Sequence, residues 1–308
     1  MPQDSCAATH KIEEVLEIAD RITALRDGKY VGTVEKKDAT LDSIIQMMVG
    51  RTLHREYVPN RGIGEVILSV EELGSDRFND VSFTLRRGEI LCFSGLIGAG
   101  RSEVARAIFG ADSFDQGKIL LEGQRVAFSS PREALNRGVA MLAEDRKELS
   151  LFSGLSIRFN MSIAQLPHLK KAFRVDSTRL ERIVREYAKR LDIRLASLDY
   201  PVSSLSGGNQ QKTVIARWLA TRPKVLILDE PTHGVDVGAK SEIYELIREL
   251  AADGMGIMLI SSELPEVLAM ADRVVVMHEG RVTGILDREK NELSEERIMA
   301  HATGLQRQ

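Results

Sequence analysis

The stretch of sequence that decides the fold lies at residues 203–236 and reads SSLSGGNQQKTVIARWLATRPKVLILDEPTHGVD. Its first part, LSGGNQQK at residues 205–212, is a turn of small residues that opens a predicted helix. Backbone N–H groups and the dipole at the start of a helix attract anions. The sequence therefore predicts an anion-binding helix start at this point.

The second part of the stretch is the apolar run VLIL at residues 225–228, which ends in Asp229 and Glu230. A continuous apolar run of this length is typical of a parallel strand that is buried on both faces. Carboxylates at the carboxyl end of such a strand suit a metal contact and a base that activates water. The segment PTHGVD at residues 231–236 then turns the chain away.

Together these three pieces resemble the signature, the Walker B motif and the D-loop of ATP-binding-cassette (ABC) nucleotide-binding domains. The resemblance implies that Asp229 holds Mg²⁺ and that Glu230 is the general base. It also places the following residues at a bound nucleotide: Ser206, Gly207, Gly208, Gln210 and Asp236.

A glycine-rich turn upstream, GLIGAGRS at residues 95–102, follows a predicted strand and precedes a helical run. This is the context of a Walker A phosphate loop, in which glycines let backbone N–H groups approach phosphates and a serine holds Mg²⁺. Alone, the turn could also bind nothing, but the downstream motifs favour a loop that binds ATP and Mg²⁺. Its predicted ligand contacts are Gly95, Gly98, Ala99, Gly100, Arg101 and Ser102, the last of them to the metal.

Three positions depart from the pattern of the ABC family. Arg101 replaces the usual Lys, which keeps the charge but adds bulk. Glu144 replaces the usual Gln of the Q-loop, and Ser262 replaces the usual switch His. No aromatic residue is well placed to stack on adenine, since Phe78 fits a core position better. Groups that position the γ-phosphate and water are changed while binding elements remain, so we expect ATP binding with impaired hydrolysis.

The chain contains an internal repeat. Residues 10–21 parallel residues 262–273, and the register continues without a gap, for example from Gly32 to Gly284. Identical residues in one ungapped register indicate duplication, and the period is about the size of one ABC domain. We therefore expect residues 1–50 to be the tail of a first domain, 51–64 a linker, and 65–304 a second domain. His10 would be the switch residue of the first copy.

Residues 1–7 cannot supply the buried strand that precedes this tail in the second copy. We therefore expect residues 10–50 to be poorly anchored, with apolar side chains that lack their native partners. The side chains concerned are Val15, Leu16, Ile18, Ile22 and Leu25.

Strands and helices alternate from residue 65 onward, which predicts an α/β fold with a mainly parallel sheet. The resemblance implies a P-loop NTPase of the ABC ATPase type, with an antiparallel β subdomain and a helical subdomain at about residues 149–201. An apolar stripe that includes Val184 and Leu191 predicts a helix there, after a Thr178/Glu181 capping box. Residues 151–161 would lie near membrane subunits.

Composition limits the function classes. The 308 residues are 43% hydrophobic and 28% charged, with a formal net charge of −3, which gives no indication of nucleic-acid binding. The apolar runs are too short to span a bilayer, and the start of the chain does not read as a signal peptide. Two cysteines cannot form a disulfide framework, so a reducing cytoplasm is the simpler expectation.

The departures at residues 101, 144 and 262 resemble the second half of double-length sugar-import ATPases of the ribose/galactose/rhamnose type. The resemblance implies a cytoplasmic protein on the inner face of the membrane, with permease subunits and a periplasmic or extracellular sugar-binding protein as partners. It also implies a head-to-tail pair with a first nucleotide-binding domain. The alternatives are a non-hydrolytic pseudo-ATPase half and a soluble ABC ATPase acting on ribosomes or DNA.

Overall fold

The computed structural model describes residues 12–26, 29–40, 43–44, 47, 57, 62–171 and 174–305. At the N-terminal end, helix α1 (Ile12–Ile18) is followed by a hairpin of strands β1 (Arg21–Arg26) and β2 (Lys29–Glu35). We call the described residues from 12 to 47 the N-terminal unit. His10, predicted as a switch residue, lies outside the described residues.

The main body contains twelve strands and eight α-helices within the described residues. The strands are β3 (Val66–Gly74), β4 (Val81–Arg86), β5 (Ile90–Gly95), β6 (Gln116–Leu121), β7 (Gln124–Val126), β8 (Val139–Leu142), β9 (Lys170–Lys171), β10 (Arg174–Val175), β11 (Val225–Asp229), β12 (Gly256–Ile260), β13 (Arg273–His278) and β14 (Arg281–Asp287). The helices are α2 (Arg101–Ile108), α3 (Pro131–Asn136), α4 (Ile157–Ser162), α5 (Ser177–Arg190), α6 (Gly207–Leu219), α7 (Val237–Ala252), α8 (Leu264–Met270) and α9 (Glu295–Ala302).

The central sheet has the strand order β14-β13-β5-β12-β11-β8, and every neighbouring pair except β13–β14 is parallel. A second, antiparallel sheet has the order β4-β3-β6-β7. These sheets confirm the predicted mainly parallel α/β architecture with an antiparallel β subdomain. Because neighbouring parallel strands end at the same edge, residues that follow β5, β11 and β12 are brought together.

Strand β11 shows why the central apolar run has no alternation. Leu226 and Leu228 belong to the core on one face of the central sheet, whereas Val225 and Ile227 belong to the core on the other face. All five residues of the strand are buried. Both faces therefore require apolar side chains, as a strand covered by helices and by a second sheet should.

The region between residues 149 and 201 is mainly helical, as predicted, but it also holds a 3₁₀ segment (Ile163–Leu169) and the short β9–β10 hairpin. Val184 on α5 is buried, which confirms the apolar stripe. The predicted capping box is wrong. The side chain of Asp176 caps α5 by accepting from the Arg179 N–H at 2.9 Å, and Thr178 already lies inside the first turn.

The internal repeat extends to the backbone. Helix α8, strand β13 and strand β14 each begin and end 252 residues after α1, β1 and β2, as Ile12 and Leu264 illustrate. The two hairpins pair in the same register, and each has its irregularity at the same place, after Ala24 and after Val276. Shared register and shared irregularity support the duplication inferred from the sequence.

The N-terminal unit has a small core of its own. Ile22 and Ile44 are buried in it, with Val15 and Leu16 packed against them, so the expectation that these side chains lack partners is wrong for Val15, Leu16 and Ile22. Ile18 and Leu25, in contrast, are 72% and 64% exposed. Val237, the first residue of α7, packs against this small core. The unit therefore touches the main body at the start of α7.

Within the segment predicted as a linker, Tyr57 is attached to the main body. Its hydroxyl donates a hydrogen bond to the Asp272 carboxylate, and the Arg288 guanidinium carbon lies 4.0 Å from the centre of its ring. Across the described ranges, no helix combines the length and the apolar character needed to cross a bilayer.

Candidate nucleotide-binding site

The predicted phosphate loop connects β5 to α2 at the edge of the central sheet where parallel strands end. Gly100 precedes α2 in the left-handed region, with φ of 94°. A Cβ atom there would also lie 3.2 Å from the Cα atom of Gly280. The turn needs glycine at this position for both reasons. Ala99 is buried, and its carbonyl oxygen accepts from the Gly280 N–H at 3.1 Å.

Arg101, the first residue of α2, is buried beneath the loop. Its Nη1 donates a hydrogen bond of 2.9 Å to the carbonyl oxygen of Ser261, which directly follows β12. The guanidinium also lowers the pKa of the Glu230 carboxyl, against the larger effect of burial. Arg101 is thus held at the sheet edge, between the phosphate loop and the carboxylates.

Ser102 and Asp229 meet at the end of the loop. The Ser102 hydroxyl hydrogen-bonds to the Asp229 carboxylate, and burial raises the pKa of Asp229 to about 6 in spite of this bond. The other carboxylate oxygen, Oδ1, is buried without a hydrogen-bond partner. Buried polar atoms without partners are rare and call for an explanation. A hydroxyl and a carboxylate oxygen are the ligands that Mg²⁺ prefers, so this pair fits the metal that the sequence predicted.

Glu230 follows Asp229 in a strained backbone conformation, with φ of 46°. Non-glycine residues in this region are uncommon and cluster at functional sites. Burial raises the pKa of the Glu230 carboxyl, while hydrogen bonds from the hydroxyl and backbone N–H of Ser262 lower it. The charge of Glu144 raises the pKa values of both Asp229 and Glu230. The structure therefore brings together four predicted residues at the ends of three strands. They are Glu144 after β8, Asp229 and Glu230 at the end of β11, and Ser262 after β12.

Sequence reasoning missed Glu266, which is buried on α8 behind this group. Its carboxylate accepts hydrogen bonds from the hydroxyls of Ser261 and Thr232, the latter at 3.2 Å. Burial raises the pKa of Glu266 to about 7. Thr232 follows Glu230 by two residues, and Ser261 precedes Ser262. Glu266 therefore joins the two segments that carry Glu230 and Ser262.

One feature of α8 sets Glu266 apart. It occupies a position on α8 that otherwise faces the apolar core, beside Val267 and Met270. A glutamate is rarely buried completely unless it has hydrogen-bonding partners. Burial, however, follows from the packing of α8 and was not evident from residue order alone.

The signature residues lie at the start of α6. Ser206 is the N-cap residue, and its Oγ accepts from the Asn209 side-chain amide at 3.0 Å. Gly208 packs against α7 so closely that a Cβ atom would lie 2.3 Å from the Cβ of Ala239. Gln210 donates to the Leu205 carbonyl oxygen at 3.1 Å. The helix start is therefore fixed against its neighbour while Ser206 remains exposed.

Asp236, predicted to contact nucleotide, caps α7 by accepting from the Ala239 N–H at 3.0 Å. Gly207 lies close to the preceding turn, since a Cβ atom on it would be 3.3 Å from the Gly234 carbonyl oxygen. In the described part of the chain, no hydrogen bond joins the signature residues to the phosphate loop. The structure thus forms two separate groups, one around Ser102 and Asp229 and one around Ser206 and Gly207.

Arg217, also missed from the sequence, fixes the signature helix to the helical subdomain. Its guanidinium donates to the carbonyl oxygens of Ser150 and Asn160, each at 2.6 Å, and burial lowers its pKa to about 10. The same region exposes three large apolar side chains: Leu149, Phe152 and Leu155. Arg217 therefore connects α6 rigidly to an apolar surface.

The nucleotide motifs and the fold both agree with a match to a known family. The model of the ABC transporter family matches residues 78–233, just over half of the chain. The chain belongs to the ABC transporter family. Its fold is the ABC ATPase P-loop fold, with a mostly parallel mixed sheet, an antiparallel subdomain and helices. Phe78, considered for adenine stacking, is buried in the core of this ABC chain.

Relatives of this ABC chain include importer components. The ribose import ATP-binding protein RbsA of Geobacillus kaustophilus is 49% identical over 298 residues, covering 96% of this chain and 60% of that protein. A putative ribose/galactose/methyl galactoside import ATP-binding protein of Agrobacterium fabrum is 46% identical over 300 residues, covering 96% of this chain and 59% of that protein. The chain thus spans about three fifths of the length of these relatives.

Solved ABC structures share the fold. A nucleotide-free ATP-binding cassette from an ABC transporter superposes with a TM-score of 0.67 at 24% identity, covering 77% of this chain and 98% of that one. A second structure, cbiO1 from Clostridium perfringens, gives a TM-score of 0.64 at 26% identity, covering 77% of this chain and 94% of that one. The cassettes match the main body of this ABC chain in size as well as in topology.

Proposed function

We propose that this chain is an ATP-binding component of an ABC importer for a monosaccharide and couples ATP binding and hydrolysis to uptake. The main support for ATP and Mg²⁺ binding is the hydrogen bond between the Ser102 hydroxyl and the Asp229 carboxylate at the end of the glycine loop. The Oδ1 atom of Asp229 is buried there without a hydrogen-bond partner. The names of the relatives support a monosaccharide as the transported substrate. Bound Mg²⁺ would neutralise phosphate charge there.

Different residues of this chain bind the phosphates, bind the metal and activate water. Backbone N–H groups at Gly98 and Gly100 and the Arg101 guanidinium hold phosphates, while Ser102 and Asp229 hold the metal. Glu230 accepts a proton from water, and its raised pKa makes it a better base than an ordinary carboxylate. Ser262 is shorter than histidine and is engaged by Glu230, so water and the γ-phosphate are positioned less well. Hydrolysis at this site is therefore impaired.

The signature group serves a different site. The helix start at Ser206 and Gly207 can hold an anion, yet it is separate from the phosphate loop of the same chain. We propose that it completes the site of a first nucleotide-binding domain in a head-to-tail pair. Residues 1–50 are, in this proposal, the tail of that first domain, 51–64 the linker and 65–304 the second domain, with His10 at the switch position of the first site.

The remaining partners are membrane permease subunits and, through them, a periplasmic or extracellular sugar-binding protein. The exposed apolar side chains Leu149, Phe152 and Leu155 support a permease contact, since Arg217 fixes this surface to the signature helix. The protein then works on the cytoplasmic, inner face of the membrane. Nothing in its charge supports a nucleic-acid partner.

Calorimetric titration of the chain with MgATP tests the proposal, with Ser102→Ala as the variant and ATP without Mg²⁺ as the control. We expect binding that depends on both Ser102 and Mg²⁺, with turnover by the chain alone far below about 10 s⁻¹, the median for enzymes. Absence of binding, or turnover at that median, would contradict the proposal. Co-purification with permease subunits separates it from a soluble ABC ATPase.

A further inference from the structure

A cavity of about 560 Å³ lies where the helical subdomain meets the main body. Its walls come from the end of α3, the 3₁₀ segment, α5 and the turn that follows α6. Its volume is within the range of small-molecule sites in proteins. Of the described residues that line it, none belongs to the candidate nucleotide-binding site. The cavity is therefore a separate place at which a ligand can bind.

Hydrogen bonds hold the walls of this cavity in place. The buried side chain of Gln165, in the 3₁₀ segment, donates from Nε2 to the carbonyl oxygen of Ala220. The hydroxyl of Tyr187 on α5 donates to the carbonyl oxygen of Leu219 at 2.9 Å. Both acceptors lie at the carboxyl end of α6, so the 3₁₀ segment and α5 are fixed to the same helix end. The cavity is thus formed without a ligand, as small-molecule sites usually are.

Three arginines line the cavity without a carboxylate partner. Across the part of the chain that the structure describes, Arg179, Arg182 and Arg222 form no ion pair. Arg185 and Arg190, which lie on α5 outside the cavity, each have a carboxylate partner, at 2.6 and 2.8 Å. The arginines inside the cavity therefore keep their donors available for a ligand.

Two of these arginines occupy positions that the helices themselves do not require. Arg179 lies in the first turn of α5, which contains no acidic residue, and the positive end of the helix dipole disfavours a cation there. Arg222 follows α6 in the left-handed region, with φ of 54°, where glycine is the usual residue. Local helix stability thus explains neither charge, whereas an anion in the cavity would explain both.

The lining also contains acceptors. Glu186 adds a carboxylate, and the side-chain oxygen of Gln165 remains after its nitrogen has donated to the wall. The lining has two more positive than negative charges. A phosphate monoester carries a charge of about −1.5 to −2 near pH 7, and the guanidinium fork matches its oxygens. Hydroxyl groups on the same ligand can donate to the two acceptors.

We propose that this cavity binds a small molecule that carries a phosphate monoester and hydroxyl groups. Arg179, Arg182 and Arg222 hold the phosphate, and Glu186 accepts from a hydroxyl. The inference goes beyond the function proposed above and does not depend on it. Because the ligand contacts α5 and the turn after α6, its binding joins the helical subdomain more firmly to the signature helix.

Titration of the whole chain with glycerol 3-phosphate tests the inference, by NMR of the arginine side-chain N–H resonances. We expect the resonances of the three cavity arginines to shift, with tighter binding than for inorganic phosphate and none for glycerol. Arg182→Gln should weaken binding at least about tenfold, because it removes a charged hydrogen bond. Arg185→Gln is the matched control, since Arg185 lies on the same helix but is paired with Glu181.

Two further comparisons separate this cavity from other phosphate sites. Arg101→Ala, at the phosphate loop, should leave the affinity for glycerol 3-phosphate unchanged, and a loss equal to that of Arg182→Gln overturns the inference. Vesicles of phosphatidylglycerol carry the same glycerophosphate group on a bilayer. If they bind in a way that depends on Arg182 while free glycerol 3-phosphate does not bind, the ligand is a membrane surface and the inference is wrong.

The remaining outcomes concern the arginines and the class of ligand. Unshifted resonances of Arg179, Arg182 and Arg222 overturn the inference, and equal affinity for inorganic phosphate overturns the requirement for hydroxyl groups. Arg179→Gln should keep the unfolding midpoint of the ligand-free chain at or above that of the wild type. A lower midpoint would mean that Arg179 stabilises the fold, and the argument for a charge that serves a ligand would fail.

Discussion

The guanidinium of Arg101 donates a hydrogen bond of 2.9 Å to the carbonyl oxygen of Ser261. This bond joins the first turn of the helix after the phosphate loop to the segment that carries Ser262. An arginine has five N–H donors in a fixed fork, so it can keep this bond and still contact a phosphate. A lysine at this position, with a single terminal group, could do both less easily.

Arg101→Ala should weaken MgATP binding by at least about tenfold, because a charged hydrogen bond contributes about 1.5–3 kcal/mol. Arg101→Lys should retain part of the affinity. Calorimetry with MgATP measures the difference, and Arg77→Ala, which removes an exposed arginine near the same loop, is the control. Equal affinity of wild type and Arg101→Ala would rule out a phosphate contact.

Glu230→Gln should leave MgATP affinity within about twofold of wild type and remove the hydrolysis that remains at this site. A group that acts on water in the transition state contributes little to binding in the ground state. Affinity and single-turnover hydrolysis should therefore separate in this variant. If Glu230→Gln and Arg101→Ala lose affinity equally, the roles assigned to the two residues are wrong.

Asp229→Asn should stabilise the metal-free chain near pH 7. Burial raises the pKa of Asp229 from 3.8 to about 6, so between these values the folded protein binds more protons than the unfolded chain. The free energy of unfolding therefore falls as pH rises through this window, by an amount on the order of 3 kcal/mol. Chemical denaturation of both proteins at pH 4 and pH 7 measures this change. The free energy of unfolding should fall less between these pH values in Asp229→Asn than in the wild type.

The same substitution should abolish the stabilisation that MgATP gives to the wild type, because it removes a metal ligand. Asp253→Asn, at an exposed aspartate, is the control and should alter neither behaviour. Parallel pH dependence in wild type and Asp229→Asn would mean that the Asp229 carboxyl titrates normally in the folded chain.

Glu266 is expected to act through the residues that it joins. Glu266→Ala leaves the hydroxyls of Ser261 and Thr232 without their acceptor, so turnover of the assembled pair should fall at least about tenfold while KM for ATP changes little. Glu266→Gln keeps the shape and most hydrogen bonds and should restore turnover. Glu249→Ala, on the exposed face of α7, is the control. A loss that Gln does not restore would indicate a requirement for charge instead of positioning.

Much of the fold followed from residue order because the decisive segments are local. The apolar run ending in Asp229 predicts a buried parallel strand, and the glycines before Ser102 predict the loop that precedes α2. The meeting of Ser102 with Asp229 followed as well, since the parallel strands β5 and β11, which are separated by β12, end at the same edge of the sheet.

Other features depend on tertiary packing and could not be predicted from residue order. Asp176 caps α5 in place of Thr178, because the helix begins two residues earlier than the predicted capping box places it. The role of Glu266 depends on the distance between two loops that are about 30 positions apart in the chain. Burial of Ile22 depends on packing with Ile44, which lies beyond the hairpin.

The central claim is that the signature of this chain completes the nucleotide site of another cassette. ATPase of this chain, assembled with a first nucleotide-binding domain and permease subunits, tests it directly in wild type, Ser206→Arg and Gly207→Asp. Ser204→Arg, an exposed serine two residues away, is the control. We predict that both signature variants abolish most of the ATPase activity, because bulk or negative charge then opposes the facing γ-phosphate, while MgATP still binds at Ser102. Unchanged ATPase in Ser206→Arg and Gly207→Asp would contradict the head-to-tail pairing.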